Sequence, residues 1–244
     1  MTLLWCILSA ASSPRVAQIN MFDRLRVLHG RGFKPSNVLD IGANRGEWTL
    51  AARKVFPSAR FFMVEANPKF RAKLERSGVP FAIAVLDATT RNASMHLATA
   101  KRGDTGSSLF LETTNQQLFT PTWVTTSTLD DLLAANGRGG ITHELLKIDV
   151  QGAELMLLRG GRHTLKGVEA ILLELAVAQY NEGAPLWLSV QKELGRLNYQ
   201  IYDVLELHYD PASRMLIQVD ILFVSTASFL WDASATGYPR PLTW

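Results

Sequence analysis

Cysteine is nearly absent: Cys6 stands alone in a chain of 244 residues. No intramolecular disulfide can form, and cysteine-based zinc sites are excluded. A reducing, cytoplasmic location is the expectation, although a secreted protein without disulfides would carry the same count. An excess of one charge is also missing. Lys+Arg number 25 against 22 Asp+Glu, a net charge of +3, with no long basic block. A nucleic-acid binder concentrates its positive charge on one face, so no nucleic-acid partner is expected. Apolar and charged residues are mixed throughout, so no stable membrane span is expected. No repeat recurs at a solenoid period. Hydrophobic residues at 47% and charged residues at 19% are ordinary globular values, which excludes disorder, collagen and coiled coil as the main architecture.

The start of the chain is ambiguous. Residues 3–11 are apolar and end in Ala10-Ala11-Ser12-Ser13, like the core of a signal peptide. The basic segment that should precede such a core is missing, since Arg15 is the first cation. A helix on the domain edge, or an extended start of translation, is the favoured reading.

What is present is an alternation. Strand-like apolar runs occupy residues 37–41, 60–65, 80–86, 145–150, 168–175, 199–205 and 216–224. Runs apolar at nearly every position suit strands buried on both faces. Helical patterns lie between them. Trp48, Ala51, Ala52, Val55 and Phe56 share one helix face, and Pro57 ends that helix. Pro68 to Ser77 reads as a second helix, Thr128 caps a third, Leu155 and Leu158 begin a fourth, and residues 186–197 form a fifth. Alternating strands and helices predict an α/β fold with a doubly wound parallel sheet. Residues 91–126, rich in Thr, Ser and Gly, break the pattern and read as a β-hairpin with a loop, inserted after the third strand.

The sharpest motif is Val38-Leu39-Asp40-Ile41-Gly42-Ala43-Asn44-Arg45-Gly46-Glu47-Trp48. A strand ends, a glycine turn follows and a helix begins. Ligands of open α/β sheets bind at such carboxyl ends of strands. The dinucleotide pattern G-x-G-x-x-G fails at Asn44, and no phosphate-loop Gly-Lys-Ser/Thr is present. Asp40 suits a ligand with an amino group rather than a pyrophosphate. Glu65 ends the second run, before Ala66-Asn67-Pro68. An acid there can accept both hydroxyls of a ribose. Alternatively it is an acid favoured at the opening of the helix at Pro68.

Together these features resemble class I methyltransferases that use S-adenosylmethionine. Lys147-Ile148-Asp149-Val150-Gln151-Gly152-Ala153-Glu154 and Leu158-Arg159-Gly160-Gly161 narrow the resemblance to the FkbM family. Gly106-Ser107-Ser108-Leu109, Thr128-Leu129-Asp130-Asp131, Glu174, Tyr180 and Asp220-Ile221-Leu222-Phe223-Val224 extend it in order. Gln151 stands where the family often has Glu. The resemblance implies a Rossmann-like, seven-stranded, mostly parallel sheet with an antiparallel last strand. The resemblance covers 33–225, read as a methyltransferase domain, with a helical segment over 1–32 before it and a tail over 226–244 after it. It implies S-adenosylmethionine as cofactor, wrapped at its methionine end by Asp40, Gly42, Ala43, Asn44 and Gly46, with Trp48 following. Glu65 would hold the ribose, beside Ala66 and Asn67. Asp87 would accept from the adenine amino group, or be a turn acid. The implied acceptor is a hydroxyl of a sugar, glycan or small metabolite, with N-methylation open.

Methyl transfer needs in-line positioning, and a hydroxyl acceptor also needs a base. Asp149 is the first candidate, as base, orienting group or electrostatic partner of the sulfonium; its other reading is a helix cap. Glu174 is the second, its other reading being a surface acid at a loop. Asp149 can also contact the cofactor. Tyr180 could bound the acceptor pocket. The histidines, His29, His96, His143, His163 and His208, show no H-x-x-x-H spacing. Surface or packing roles are expected for each. Asp149 and Glu174 alone do not make a metal site, so none is expected. Lys147 is expected to point away from Asp149. Residues 105–111, with Gly103 and Gly106 as hinges, read as a lid. The rival readings are a cofactor-binding module that has lost turnover, a nucleotide-dependent oxidoreductase and a membrane-associated partner protein.

Overall fold

The computed structural model describes residues 20–99, 105–113 and 118–232. The apolar N-terminal stretch, Gly103 and residues 233–244 lie outside them. Helix α1 (Met21–Gly30) opens the described chain, its first turn held by the Asn20 side chain, which accepts from the Phe22 N–H at 2.8 Å. Then come β1 (Asn37–Ile41), α2 (Glu47–Val55), β2 (Arg60–Glu65), a 3₁₀ turn at Pro68–Phe70, α3 (Arg71–Arg76) and β3 (Phe81–Ile83). A smaller unit holds β4 (Val85–Leu86), β5 (Asn92–Ala98) and β6 (Phe119–Ser127). The chain continues through α4 (Leu129–Ala135), β7 (Leu145–Ile148), α5 (Glu154–Gly160), β8 (Ala170–Ala176), α6 (Trp187–Arg196), β9 (Tyr199–Tyr209) and β10 (Leu216–Ser225).

Seven strands form one sheet in the order β3-β2-β1-β7-β8-β10-β9. Only β10 runs antiparallel to its neighbours. Side chains alternate across the sheet, so each strand feeds two cores. Leu39, Ile41, Leu146, Ile148, Ile171 and Leu173 face α4, α5 and α6. Val38, Met63, Leu145, Leu172 and Leu222 face α1, α2 and α3. Leu25 and Leu28 of α1 and Leu230 after β10 are buried in the second core. Strand order reverses between β1 and β7, which is where a doubly wound sheet opens a crevice at its carboxyl end.

Three expectations change in detail. The run at 80–86 is two strands. Ala84 N–H makes a last bond to Glu65 O at 2.9 Å, after which Val85 and Leu86 leave the large sheet and pair in parallel with Thr126 and Ser127 of β6. The inserted hairpin is longer than its strand-like pieces, pairing Asn92 with Thr125 through Ala98 with Phe119. The helix expected from Pro68 begins as a 3₁₀ turn, with α-helical geometry only from Arg71.

Candidate active site

The crevice at the β1–β7 switch point is a cavity of about 310 Å³. That is the lower end of ligand-site volumes. Gly42 makes its floor possible. It sits at φ +78°, and a Cβ there would lie 1.8 Å from the Asp149 carbonyl oxygen. The turn after β1 and the turn after β7 can touch only without that atom. Gly46, at φ +77°, lets α2 start against Met63 and Leu74, with a Cβ position 3.3 Å from the Met63 sulfur.

Several expected site residues share the cavity: Gly42, Ala43, Asn44, Trp48, Glu65, Ala66 and Asp149. Glu65 is nearly buried, and its two oxygens accept from the backbone N–H of Asn44 at 2.6 Å and of Asn67 at 2.7 Å. A carboxylate offers about four lone-pair sites. Each Glu65 oxygen therefore keeps capacity for one more donor. Burial raises the Glu65 pKa, and the two backbone N–H bonds pull it back.

Other expected residues stand behind the wall. Asp40, expected at the methionine end, is fully buried. It accepts from Thr49 Oγ1 at 2.6 Å and faces the Lys147 ammonium at 3.5 Å. Gly46 contributes packing and no lining. Asn67 lies beside the cavity and acts through its backbone on Glu65 and through its side chain on Lys69 N–H at 3.2 Å. Asp87 does not line the cavity. Its carboxylate is occupied by the Ala88 N–H and the Arg91 guanidinium, both at 2.7 Å, which leaves it as an acid of the turn after β4. Glu174 stands one strand away from the cavity, on β8.

Lys147 corrects a directional expectation. Residues two apart on a strand share a face. Lys147 and Asp149 accordingly meet, Nζ to Oδ2, at 3.3 Å, and Nζ also donates to Gly42 O at 3.2 Å. Burial pushes the Lys147 pKa down, but Asp149 and Asp40 outweigh it and hold the ammonium above its ordinary range. One buried cation thus joins the floor acid Asp40 to the cavity acid Asp149.

Gln151, in the left-handed region at φ 54°, extends this chain of contacts. Its amide donates to Asp149 Oδ1 at 2.9 Å and to Glu174 Oε1 at 2.6 Å. A Glu here would bring three carboxylates together. The Gln151 carbonyl accepts from Ser108 Oγ at 2.6 Å and Asn181 Nδ2 at 2.9 Å. The Ser108 bond ties the inserted segment to the site, where residues 105–109 line the cavity. Burial, with Asp149 and Asp220 nearby, raises Glu174 to about 8. Burial and the surrounding acids Glu174, Glu154 and Asp149 raise the Tyr180 phenol.

His208 departs from the expected surface or packing role. Its Nε2 lies 2.7 Å from Asp220 Oδ2 and 4.0 Å from Glu174 Oε2. The hydrogen bond to Asp220 lifts its pKa to about 9. Three different strands supply these groups, so no local spacing could have announced them.

Glu154 begins α5 and accepts from Gly152 N–H at 2.9 Å. Burial raises its pKa to about 7. The folded state therefore holds this proton more tightly than the unfolded chain does. Stability falls as pH rises from about 4.5 to about 7, and this contribution is flat beyond. Glu154→Gln keeps an acceptor for the Gly152 N–H and removes the titration. Its melting temperature should exceed that of the parent at pH 8 and match it near pH 4.5. Equal temperatures at both pH values would refute the assignment.

The methyltransferase FkbM domain matches residues 40–201, about two thirds of the chain. The chain belongs to this family. S-adenosylmethionine is the family's cofactor, and Glu65, with a free acceptor site on each oxygen, fits its ribose. This FkbM domain is similar to the methyltransferase FkbM of Methylobacillus flagellatus KT, at 15% identity and TM-score 0.48, over 76% of this chain and 43% of that one. It thus spans less than half of that protein's length. It is also similar to a Burkholderia thailandensis 1,6-didemethyltoxoflavin-N1-methyltransferase with bound S-adenosylhomocysteine (12% identity, TM-score 0.44, 86% and 79% covered). A third is Aeropyrum pernix fibrillarin with natively bound S-adenosyl-L-methionine (15%, TM-score 0.44, 81% and 73% covered). No curated protein matches. Among the described residues, no helix is long and apolar enough to cross a membrane.

Proposed function

We propose that this FkbM domain methylates a hydroxyl of a sugar, glycan or other small metabolite. The bound cofactor supplies a sulfonium methyl already activated toward a nucleophile. Glu65 accepts the ribose hydroxyls, and the turn at Gly42, Ala43 and Asn44 lies along the methionine end. Asp149 takes the proton of the acceptor hydroxyl, and Lys147 and Gln151 hold its carboxylate in place. Residues 105–109 exclude water from the reacting atoms. The hydroxyl acceptor comes with the family resemblance.

The observation that carries this reading is the pairing of two acids on one cavity: Glu65, fixed by two backbone N–H groups, and Asp149, fixed by Lys147 and Gln151. Calorimetric titration with S-adenosylhomocysteine, with NAD in parallel, tests it. Hydrogen bonds to a charged group contribute about 1.5–3 kcal/mol each. Glu65→Gln should therefore weaken S-adenosylhomocysteine about 10- to 100-fold, while NAD binds neither protein. A folded parent chain that does not bind S-adenosylhomocysteine would overturn the reading.

A further inference from the structure

Beyond the cavity, three strands converge on a second set of groups. Glu174 of β8 and Asp220 of β10 are directly opposed in the sheet register, and Glu206 of β9 is opposed to Asp220 on the other side. Acids directly across from one another destabilise a sheet. Among the described residues, His208 is the one cationic side chain within ion-pair distance of Glu174 or Asp220. One histidine side chain therefore faces two carboxylates, with Glu206 close by.

The ligand atoms are already gathered. Glu174, His208 and Asp220 each offer one, all within 4.8 Å of one another. Ligands about 2.1 Å from a cation lie roughly 2.9–3.4 Å apart in octahedral or tetrahedral geometry. The observed 2.7 Å from His208 Nε2 to Asp220 Oδ2 and 4.0 Å to Glu174 Oε2 bracket that range. Glu174 is oriented for the task. Its Oε1 accepts from the amides of Gln151 and Gln218, which leaves Oε2 toward His208. The side chains of His208 and Glu174 are 32% and 18% exposed, so an ion can enter and waters can fill its remaining positions.

We propose that Glu174, His208 and Asp220 form a binding site for one divalent transition-metal cation. An imidazole with two carboxylates suits Mn²⁺, Co²⁺ or Zn²⁺ better than Mg²⁺ or Ca²⁺, which take all-oxygen sets. Gln151 links the site to Asp149, so the ion would lie one amide away from the cavity. The proposal stands whatever reaction the cavity performs.

Metal-stripped protein titrated calorimetrically with MnCl₂ and ZnCl₂ tests it. The expected result is saturable binding of one ion per chain, weakened at least about 10-fold in both His208→Gln and Asp220→Asn. The same ions should raise the melting temperature of the parent and not of the variants. Pulsed electron paramagnetic resonance of Mn²⁺ on the parent should show coupling to an imidazole nitrogen, which needs no variant to fold. Absence of saturable binding to the folded parent, absence of that coupling, or unchanged affinity in both folded variants would overturn the site.

Discussion

Lys147→Met should be strongly destabilising, because it removes the cation of a buried ion pair. Asp40 is fully buried, its Oδ1 has no hydrogen-bond partner, and the Lys147 ammonium 3.5 Å away compensates its charge. The two residues are register partners on β1 and β7, at the centre of the sheet. Removing one member of a buried ion pair costs about 3–5 kcal/mol, because the other charge is left in low dielectric. For a chain of this size that corresponds to a fall in melting temperature of roughly 6–20 °C. Adding Asp40→Asn to Lys147→Met should recover part of the loss, since the stranded charge is then gone. Thermal unfolding of the single and double variants checks both statements. A single variant within about 1 kcal/mol of the parent would refute the ion pair as a major source of stability.

This same pair marks where sequence reading stops. Asp40 stands at a strand end before a glycine turn, the usual address of a ligand acid, and from sequence it reads as one. Its partner lies on a strand that becomes a neighbour only in the folded sheet, so nothing near Asp40 reports that the acid turns inward. Lys147 is different. The expectation that it points away from Asp149 set aside the two-residue period of a strand, which puts residues 147 and 149 on one face. The place of Glu65 on the cavity was legible, because strand-end position and the Ala66-Asn67-Pro68 turn both concern adjacent residues. Strands β1, β2, β7 and β8 were legible because burial on both faces writes itself as continuous apolar runs. The break between β3 and β4 was not, since one apolar run serves two sheets. His208 meets Glu174 and Asp220 only through the register of three strands, and local spacing has no access to register.

Of the two candidate acids, only Asp149 should control turnover directly. Asp149 lines the cavity and Glu174 does not. On the proposed function, Glu174 acts as a positioning residue through Gln151, whose amide donates to both acids. A positioned base contributes about 10²–10⁴-fold to a proton transfer. Asp149→Asn retains the shape and one acceptor atom but cannot take the proton. It should lower kcat by about that factor, with S-adenosylhomocysteine affinity changed less than about tenfold. Glu174→Gln keeps an acceptor for Gln151 and should lower kcat by less than about tenfold, since it leaves Asp149 able to take the proton. Single-turnover methyl transfer, measured beside calorimetry on the same preparations, separates chemistry from binding. If Asp149→Asn keeps full kcat while Glu174→Gln loses it, the base belongs on β8 and the acceptor lies over β8 rather than over the end of β7. If both variants keep it, the nucleophile reaches the methyl without a carboxylate base, as an unprotonated amine would, and the acceptor class changes from hydroxyl to nitrogen.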